Sequence, residues 1–305
     1  MHFNRNTISW AVIACLLWST AYAGIKIGLR YDTPFHFAGV RFIIAGLMIM
    51  PFAMRGTDYF SMIRDNWKLV ALITFLQMIV NYAFFYHGLE LVPGALGAVI
   101  VGSQPLITAV VANIMHKEDR LTRKKVLTII SGITGVILIS AGRQAFRFGT
   151  ISELLGVLMI LIANTGVASS NVVVAVKGKA LNPLVLSSVS LFSGGVVLYL
   201  LSLPVEGFHR LDYPMEYWFD LLWLSFMAAA AFSIWFNLLQ RPGVKVSELN
   251  LFKFIIPVAG AILSWILVPD ENPEWITVSG MIIITVSLIV FYRSPGTTSL
   301  YFEEK

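Results

Sequence analysis

YHGLELVPGALGAVIVGSQPLITAVV, residues 86–111, lies over LLQRPGVKVSELNLFKFIIPVAGAIL, residues 238–263, without a gap at an offset of 152. Pro105 falls on Pro257. Further on, Glu118 and Asp119 fall on Asp270 and Glu271, and Val126 falls on Val278. Nearer the start of each half, an offset of 149 places Pro34 on Pro183 and Gly46 on Gly195. Few residues are identical. What repeats is an apolar run punctuated by a proline at one position, so the chain reads as two similar halves.

Composition says where such runs live. Of 305 residues, 57% are hydrophobic and 13% charged, against about 25% charged in soluble domains. The mean hydropathy is +0.77. Ten apolar segments follow one another at 7–29, 36–54, 67–88, 93–115, 124–142, 151–176, 182–204, 216–239, 245–268 and 273–292. Each approaches the roughly 20 residues needed to cross a hydrocarbon core. In lipid every backbone amide needs an internal partner, which leaves helices or a closed barrel. Barrel strands alternate over about 10 residues, whereas ITVSGMIIITVSLIVFY and VLTIISGITGVILIS are continuous. The expectation is an all-α polytopic membrane protein with ten transmembrane helices. Cys15 is the only cysteine, which excludes an intrachain disulfide and a cysteine metal cluster. No cofactor or metal is expected.

Charge orients the segments. With the N-terminus inside, fifteen Lys and Arg fall on the cytoplasmic side, five of them in HKEDRLTRKK, and only Arg30, Arg143, Arg147 and Arg210 on the other. That bias places both termini in the cytoplasm. It also accounts for the net charge of +5, so no nucleic-acid partner is expected. Arg5 before an apolar run and Ala21-Tyr22-Ala23 have a signal-peptide form. The segment runs on through GIKIGL, however, and its removal would leave the repeat one member short. Five helices per half is an odd number, so the second half enters the membrane upside down. The charges agree: HKEDRLTRKK is basic, whereas its counterpart VPDENPEW keeps the acidic pair and has no Lys or Arg. Inverted repeats are a common plan of secondary transporters, with substrate bound near the midplane between the halves.

These features resemble the EamA family of the drug/metabolite transporter superfamily. The resemblance runs through LLWSTAYAGIKIGL, PFHFAGVRFIIAGLM and most strongly ALGAVIVGSQPLITAVVANIMHKEDRLTRKKVLTIISGITGVILI, with a looser echo in PVAGAILSWILVPDENPEWITVSGMIIITVSLIVFY. Thr128 and Ser287 stand where the family commonly has glycine. The resemblance implies two five-helix inverted repeats (1–147 and 148–293), a cytoplasmic tail (294–305) and transport of small metabolites, often export. For this chain the expectation is a secondary transporter in the cell's inner membrane, working by alternating access as a monomer or homodimer. The alternatives are a passive facilitator or channel, or a membrane-embedded accessory protein or enzyme. The enzyme reading lacks a catalytic set such as HExxH or paired mid-membrane aspartates.

Individual residues sharpen the expectation. Lys253 lies eight residues past Lys245, about 12 Å along a helix, too deep to snorkel easily. A charge near the centre costs about 2.5–3.5 kcal/mol on insertion scales and usually faces a polar cavity. Its twin is Val101, so the repeat does not require it. It is the leading candidate to anchor an anionic or zwitterionic, amino-acid-like solute; a structural ion pair or a misplaced helix start are the alternatives. Glu248, five residues back, is poorly spaced to pair with it.

Pro105 and Pro257 interrupt their helix ladders, as passive kinks or as part of a binding region, and their symmetric placement favours helices 4 and 9 as the pair facing the central path. Gln104, Trp18, Tyr82, Asn171 and Trp235 are the other candidate lining residues. Ser19, Thr20, Gln77, Asn81, Tyr86, Asn164, Ser169, Ser170 and Asn237 are weaker ones, the asparagines being more often helix glue. Lys26 and Arg41, near the outer ends of helices 1 and 2, are read as snorkelling or as gating the outer mouth. Gly24 and Gly28 offer a close-packing face. His87 and Glu90 read as a solvated loop. No clear mid-membrane carboxylate appears, so a proton-linked cycle would have to run through Lys253 itself.

Overall fold

A computed structural model describes residues 5–92, 94–116, 119–141, 151–208, 212–267 and 274–293. All ten expected segments are helical, with ends within a few residues of the expected ones. They are α1 (Arg5–Gly28), α2 (Pro34–Ala53), α3 (Trp67–Leu91), α4 (Gly94–Gly102 and Gln104–Met115), α5 (Arg123–Ala141) and α6 (Ile151–Lys177). There follow α7 (Pro183–Glu206), α8 (Met215–Gln240), α9 (Val246–Leu251, a 3-10 turn Phe252–Phe254, and Ile255–Leu267) and α10 (Trp275–Arg293). A short helix, Tyr59–Asp65, unforeseen from the sequence, precedes α3.

Among the described residues nine stretches, falling in α2 to α10, are long and apolar enough to cross a membrane. The expected tenth, α1, is a helix of 24 residues. The outward side chains include Ile114, Leu127, Phe219, Ile266 and Ile282, all exposed apolar groups. Such a surface belongs in lipid rather than water.

The halves meet where α2 crosses α7, and the crossing displays the repeat. A methyl group on Gly46 would lie 2.6 Å from the backbone N of Phe192, and one on Gly195 would lie 2.6 Å from that of Ile43. At the offset of 149, Gly46 corresponds to Gly195 and Ile43 to Phe192. Each residue therefore touches the twin of the other's partner, as a two-fold relation requires. The same reciprocity governs the packing around it. Helix α1 lies on α8, and its twin α6 lies on α3, the twin of α8. Helices α5 and α10 pack together through Gly135 and Gly280, where a methyl on either would meet the other's carbonyl oxygen.

The Gly24–Gly28 face is used as its spacing suggests. Gly24 lies against Asp220 and Leu224 of α8, and Gly28 against the Phe37 ring of α2. Thr128 bonds back to the Lys124 carbonyl at 3.0 Å and Ser287 to that of Ile284 at 2.9 Å. Both hydroxyls are satisfied within their own helices, so these departures from glycine leave no polar group stranded.

Candidate functional site

Two broken helices meet at the middle of the molecule. Helix α4 breaks at Ser103, just before Pro105, and α9 tightens into its 3-10 turn at Phe252–Phe254, just before Pro257. Proline has no N–H to offer the carbonyl four residues back, which is Val101 in α4 and Lys253 in α9. Breaks of this kind survive in a membrane where neighbours satisfy the freed groups. Beside the break in α4, the neighbouring Ile100 carbonyl accepts from Ser103 Oγ at 2.6 Å and from Asn164 Nδ2 of α6 at 2.8 Å. Asn164 is therefore helix glue.

Lys253 stands on the break in α9. Its Nζ donates to Gln104 Oε1 of α4 at 3.0 Å. The same nitrogen lies 5.6 Å from the Trp18 ring centroid of α1 and 5.0 Å from that of Trp235 of α8. Three other expected lining residues, from three helices and both halves, thus converge on the Lys253 ammonium. Among the described residues no carboxylate lies within ion-pair distance of it. Glu248 is instead turned toward Lys125 and Lys245, at 3.6 and 3.7 Å.

Two cation–π contacts at about 0.5–2 kcal/mol each, with a charged hydrogen bond of about 1.5–3 kcal/mol, are of the size needed to offset the insertion cost. They leave the positive charge unneutralised and two ammonium hydrogens uncommitted. Trp235 is fully buried, yet its Nε1–H has no partner among the described residues.

An aromatic track leads away from this point. Trp18 meets Phe232 edge to face at 5.7 Å, Phe232 meets Phe42 at 6.5 Å, and Phe42 meets Tyr82 at 4.7 Å, with Tyr86 5.9 Å beyond. A π-helical stretch, Phe75–Val80, interrupts α3 just before Asn81 and Tyr82. Such a bulge changes the phase of the helix downstream and often marks a functional site.

At the far end of the track sits Arg41, its guanidinium 4.4 Å from the Phe42 ring centroid. The snorkelling expectation fails here: Arg41 is 2% exposed, because α2 is wrapped by α3, α7 and α8. Asn171 lies off the track, its Nδ2 3.2 Å from Asn250 Oδ1 in a buried pair between α6 and α9. Ser19 and Thr20 bond back into α1, and Asn237 pairs with Arg241 at the end of α8. The side chain of Lys26 and the boundary at 147/148 lie outside the described residues.

Two buried polar networks were not foreseen. At the end of α4 nearest α5, Asp119, 0% exposed, binds Lys125 Nζ at 2.6 Å and the Ser247 backbone N at 2.8 Å, and also accepts from the Ser247 hydroxyl. It thereby caps the first turn of α9 from the other half. Lys125 also donates to the Arg120 carbonyl at 3.0 Å. In the sequence it was one of five basic residues in a loop, and only its partner's position across the repeat marks it out.

At the opposite end, Glu206 of α7 accepts from the backbone N–H of Phe35 and His36 at 2.8 and 2.9 Å, capping α2. Beside it, in the α1–α2 turn, Asp32 accepts from Tyr217 Oη at 2.6 Å and binds His36 Nδ1 at 2.7 Å. Burial pushes the Asp32 carboxyl up, but hydrogen bonds from His36, Tyr217 and the Thr33 backbone outweigh it and hold the group below its usual range. Burial near Asp32 pushes the Tyr213 phenol up to about 12.

Known proteins resemble this arrangement along nearly its whole length. The profile of the EamA-like transporter family matches residues 5–141 and again 154–293, one match to each half. The uncharacterized transporter YvbV of Bacillus subtilis is 24% identical over 282 residues, covering 92% of this chain and 90% of its own. The WAT1-related protein At3g02690, chloroplastic, of Arabidopsis thaliana is 24% identical over 272 residues, covering 85% of this chain and 63% of its own. A solved crystal structure superposes with a TM-score of 0.81 at 17% identity, over 94% of this chain and 96% of that one. At that identity the last likeness speaks for the fold alone.

Proposed function

Because the chain belongs to the EamA-like transporter family, we propose that it moves small anionic or zwitterionic metabolites of amino-acid-like size across the inner membrane. It works by alternating access of two inverted five-helix halves, 1–147 and 148–293, with ten spans and cytoplasmic termini, and it runs as an exporter. Lys253 anchors the solute's carboxylate, Gln104 orients the ammonium, and Trp18 and Trp235 form the walls. Pro105 and Pro257 supply the breaks at which α4 and α9 re-pack between states.

One observation carries this reading: a lysine deep between helices of both halves, held by an amide and two indole rings and balanced by no carboxylate among the described residues. A fixed charge left without a counter-charge suits a solute that brings its own. The test is a panel of labelled solutes with proteoliposomes of the whole chain. Flux of an amino acid or small carboxylate, and none of an organic cation, is the expected result. Flux confined to cations contradicts it.

A further inference from the structure

Arg41 presents the same problem as Lys253 at a second depth. It lies seven residues past Pro34, about 10 Å along α2. It is 2% exposed, and its Nε and Nη1 have no hydrogen-bond partner among the described residues. The buried Tyr86 hydroxyl beside it has none either. Its charge acts on both Tyr82 and Tyr86 of α3. Asp220 of α8 feels the guanidinium but makes no ion-pair contact with it among the described residues, and it keeps its own Oδ2 unpartnered. The Asp220 Oδ1 is instead packed against Gly24. An incompletely partnered guanidinium, two nearby tyrosine hydroxyls and an aromatic face thus cluster where Arg41 Nε and Nη1 and the Tyr86 hydroxyl lack partners. A standing cost of this kind is relieved when an acceptor group arrives.

We propose that Arg41, Tyr82 and Tyr86 form a second anion station that takes a carboxylate or phosphate group, with Asp220 balancing Arg41 while the station is empty. The planar guanidinium and two hydroxyl donors match the edge of an oxyanion better than a spherical halide. The station is joined to Lys253 by the rings of Phe42, Phe232 and Trp18. A solute's anionic group is thereby handed between two fixed cations along one apolar-walled track. This rests on the reading of the chain as a carrier of anionic solutes, but it makes a separate claim about a separate site.

The experiment is thermal unfolding of the purified full-length protein titrated with succinate, inorganic phosphate or chloride at constant ionic strength. Wild type is stabilised by succinate or phosphate and not by chloride. Arg41→Gln weakens that stabilisation about tenfold, Arg41→Lys recovers part of it, and Lys253→Met leaves the Arg41-dependent component in place. Asp220→Asn strengthens oxyanion binding, because the competing carboxylate is gone. A merely structural Arg41–Asp220 pair would not produce that gain: losing either partner would then loosen the fold without raising affinity.

Oxyanion binding unchanged in Arg41→Gln, equal stabilisation by chloride, or weaker binding in Asp220→Asn would each overturn the proposal. If Arg41→Gln does not fold, the Asp220→Asn titration decides alone. Failure of the Lys253 reading shows separately, as undiminished solute flux in Lys253→Met.

Discussion

At the scale of single residues, a buried donor without an acceptor is a directional statement about what is to be bound. Trp235 Nε1–H has no partner among the described residues, and its ring lies 5.0 Å from the Lys253 ammonium. Trp235→Phe keeps an aromatic face, though a smaller one, and removes the donor. We expect a folded protein with several-fold weaker apparent affinity and little change in maximal flux, measured as KM against kcat in proteoliposomes; an unchanged KM would take the indole N–H out of the site.

Asp32 makes a different prediction. Its folded-state value lies below the ordinary carboxylate range, so its contribution to stability is present above the unfolded value of about 3.9 and is lost as pH falls through the folded value. Melting curves in detergent should converge for wild type and Asp32→Asn as pH is lowered below about 4, with wild type more stable near neutrality.

Lys253 was legible in the sequence because a lysine eight residues past Lys245, followed by sixteen residues without a charge and opposite a valine in the twin, is conspicuous without coordinates. Arg41 was misjudged for an equally physical reason. Depth along a helix is countable from sequence, but which face neighbouring helices cover is not.

At the scale of elements, the two ends of the bundle are held by capping contacts that cross between the halves. Asp119 caps α9, and Glu206 caps α2. The Asp119–Lys125 pair is almost wholly buried, so removing one partner strands the other. Lys125→Met should destabilise the protein by about 3–5 kcal/mol, read as a lowered unfolding midpoint. Restoration toward wild type in Lys125→Met with Asp119→Asn would confirm that the loss came from the stranded carboxylate, and a wild-type midpoint in the single variant would deny it.

The α2–α7 crossing gives a symmetric test. Gly46→Ala and Gly195→Ala each drive a methyl onto a backbone nitrogen, and each should cost about 1–3 kcal/mol. Loss of similar size from both supports the two-fold crossing. A large loss from one and none from the other would show that the reciprocity is not felt energetically. Helix ends were readable to within a few residues because hydropathy and charge change sharply there. The π stretch in α3 and the 3-10 turn in α9 were not, since each depends on how a helix is re-phased by its neighbours. Proline announced only that α4 and α9 would break somewhere near it.

At the scale of the whole molecule, duplication builds the site and asymmetry specialises it. The two halves restate one five-helix plan, each matched by the same family profile, and their paired prolines bring two broken helices together. On that common frame one half places Lys253 where the other has Val101, and α3 carries a π stretch that its twin α8, helical throughout Met215–Gln240, does not. The repeat, and through it the architecture, could be read from an offset in the sequence. The track of rings from Trp18 to Tyr86 could not, because its members come from four helices with no shared spacing.

If the transported anion rests on Lys253, as proposed, flux depends on the charge at that position. Solute flux into proteoliposomes by wild type, Lys253→Met and Lys253→Arg, each with an unchanged unfolding midpoint, measures it most directly. Lys253→Met should lose at least about tenfold in flux, with partial activity in Lys253→Arg. Flux in Lys253→Met equal to wild type would contradict it.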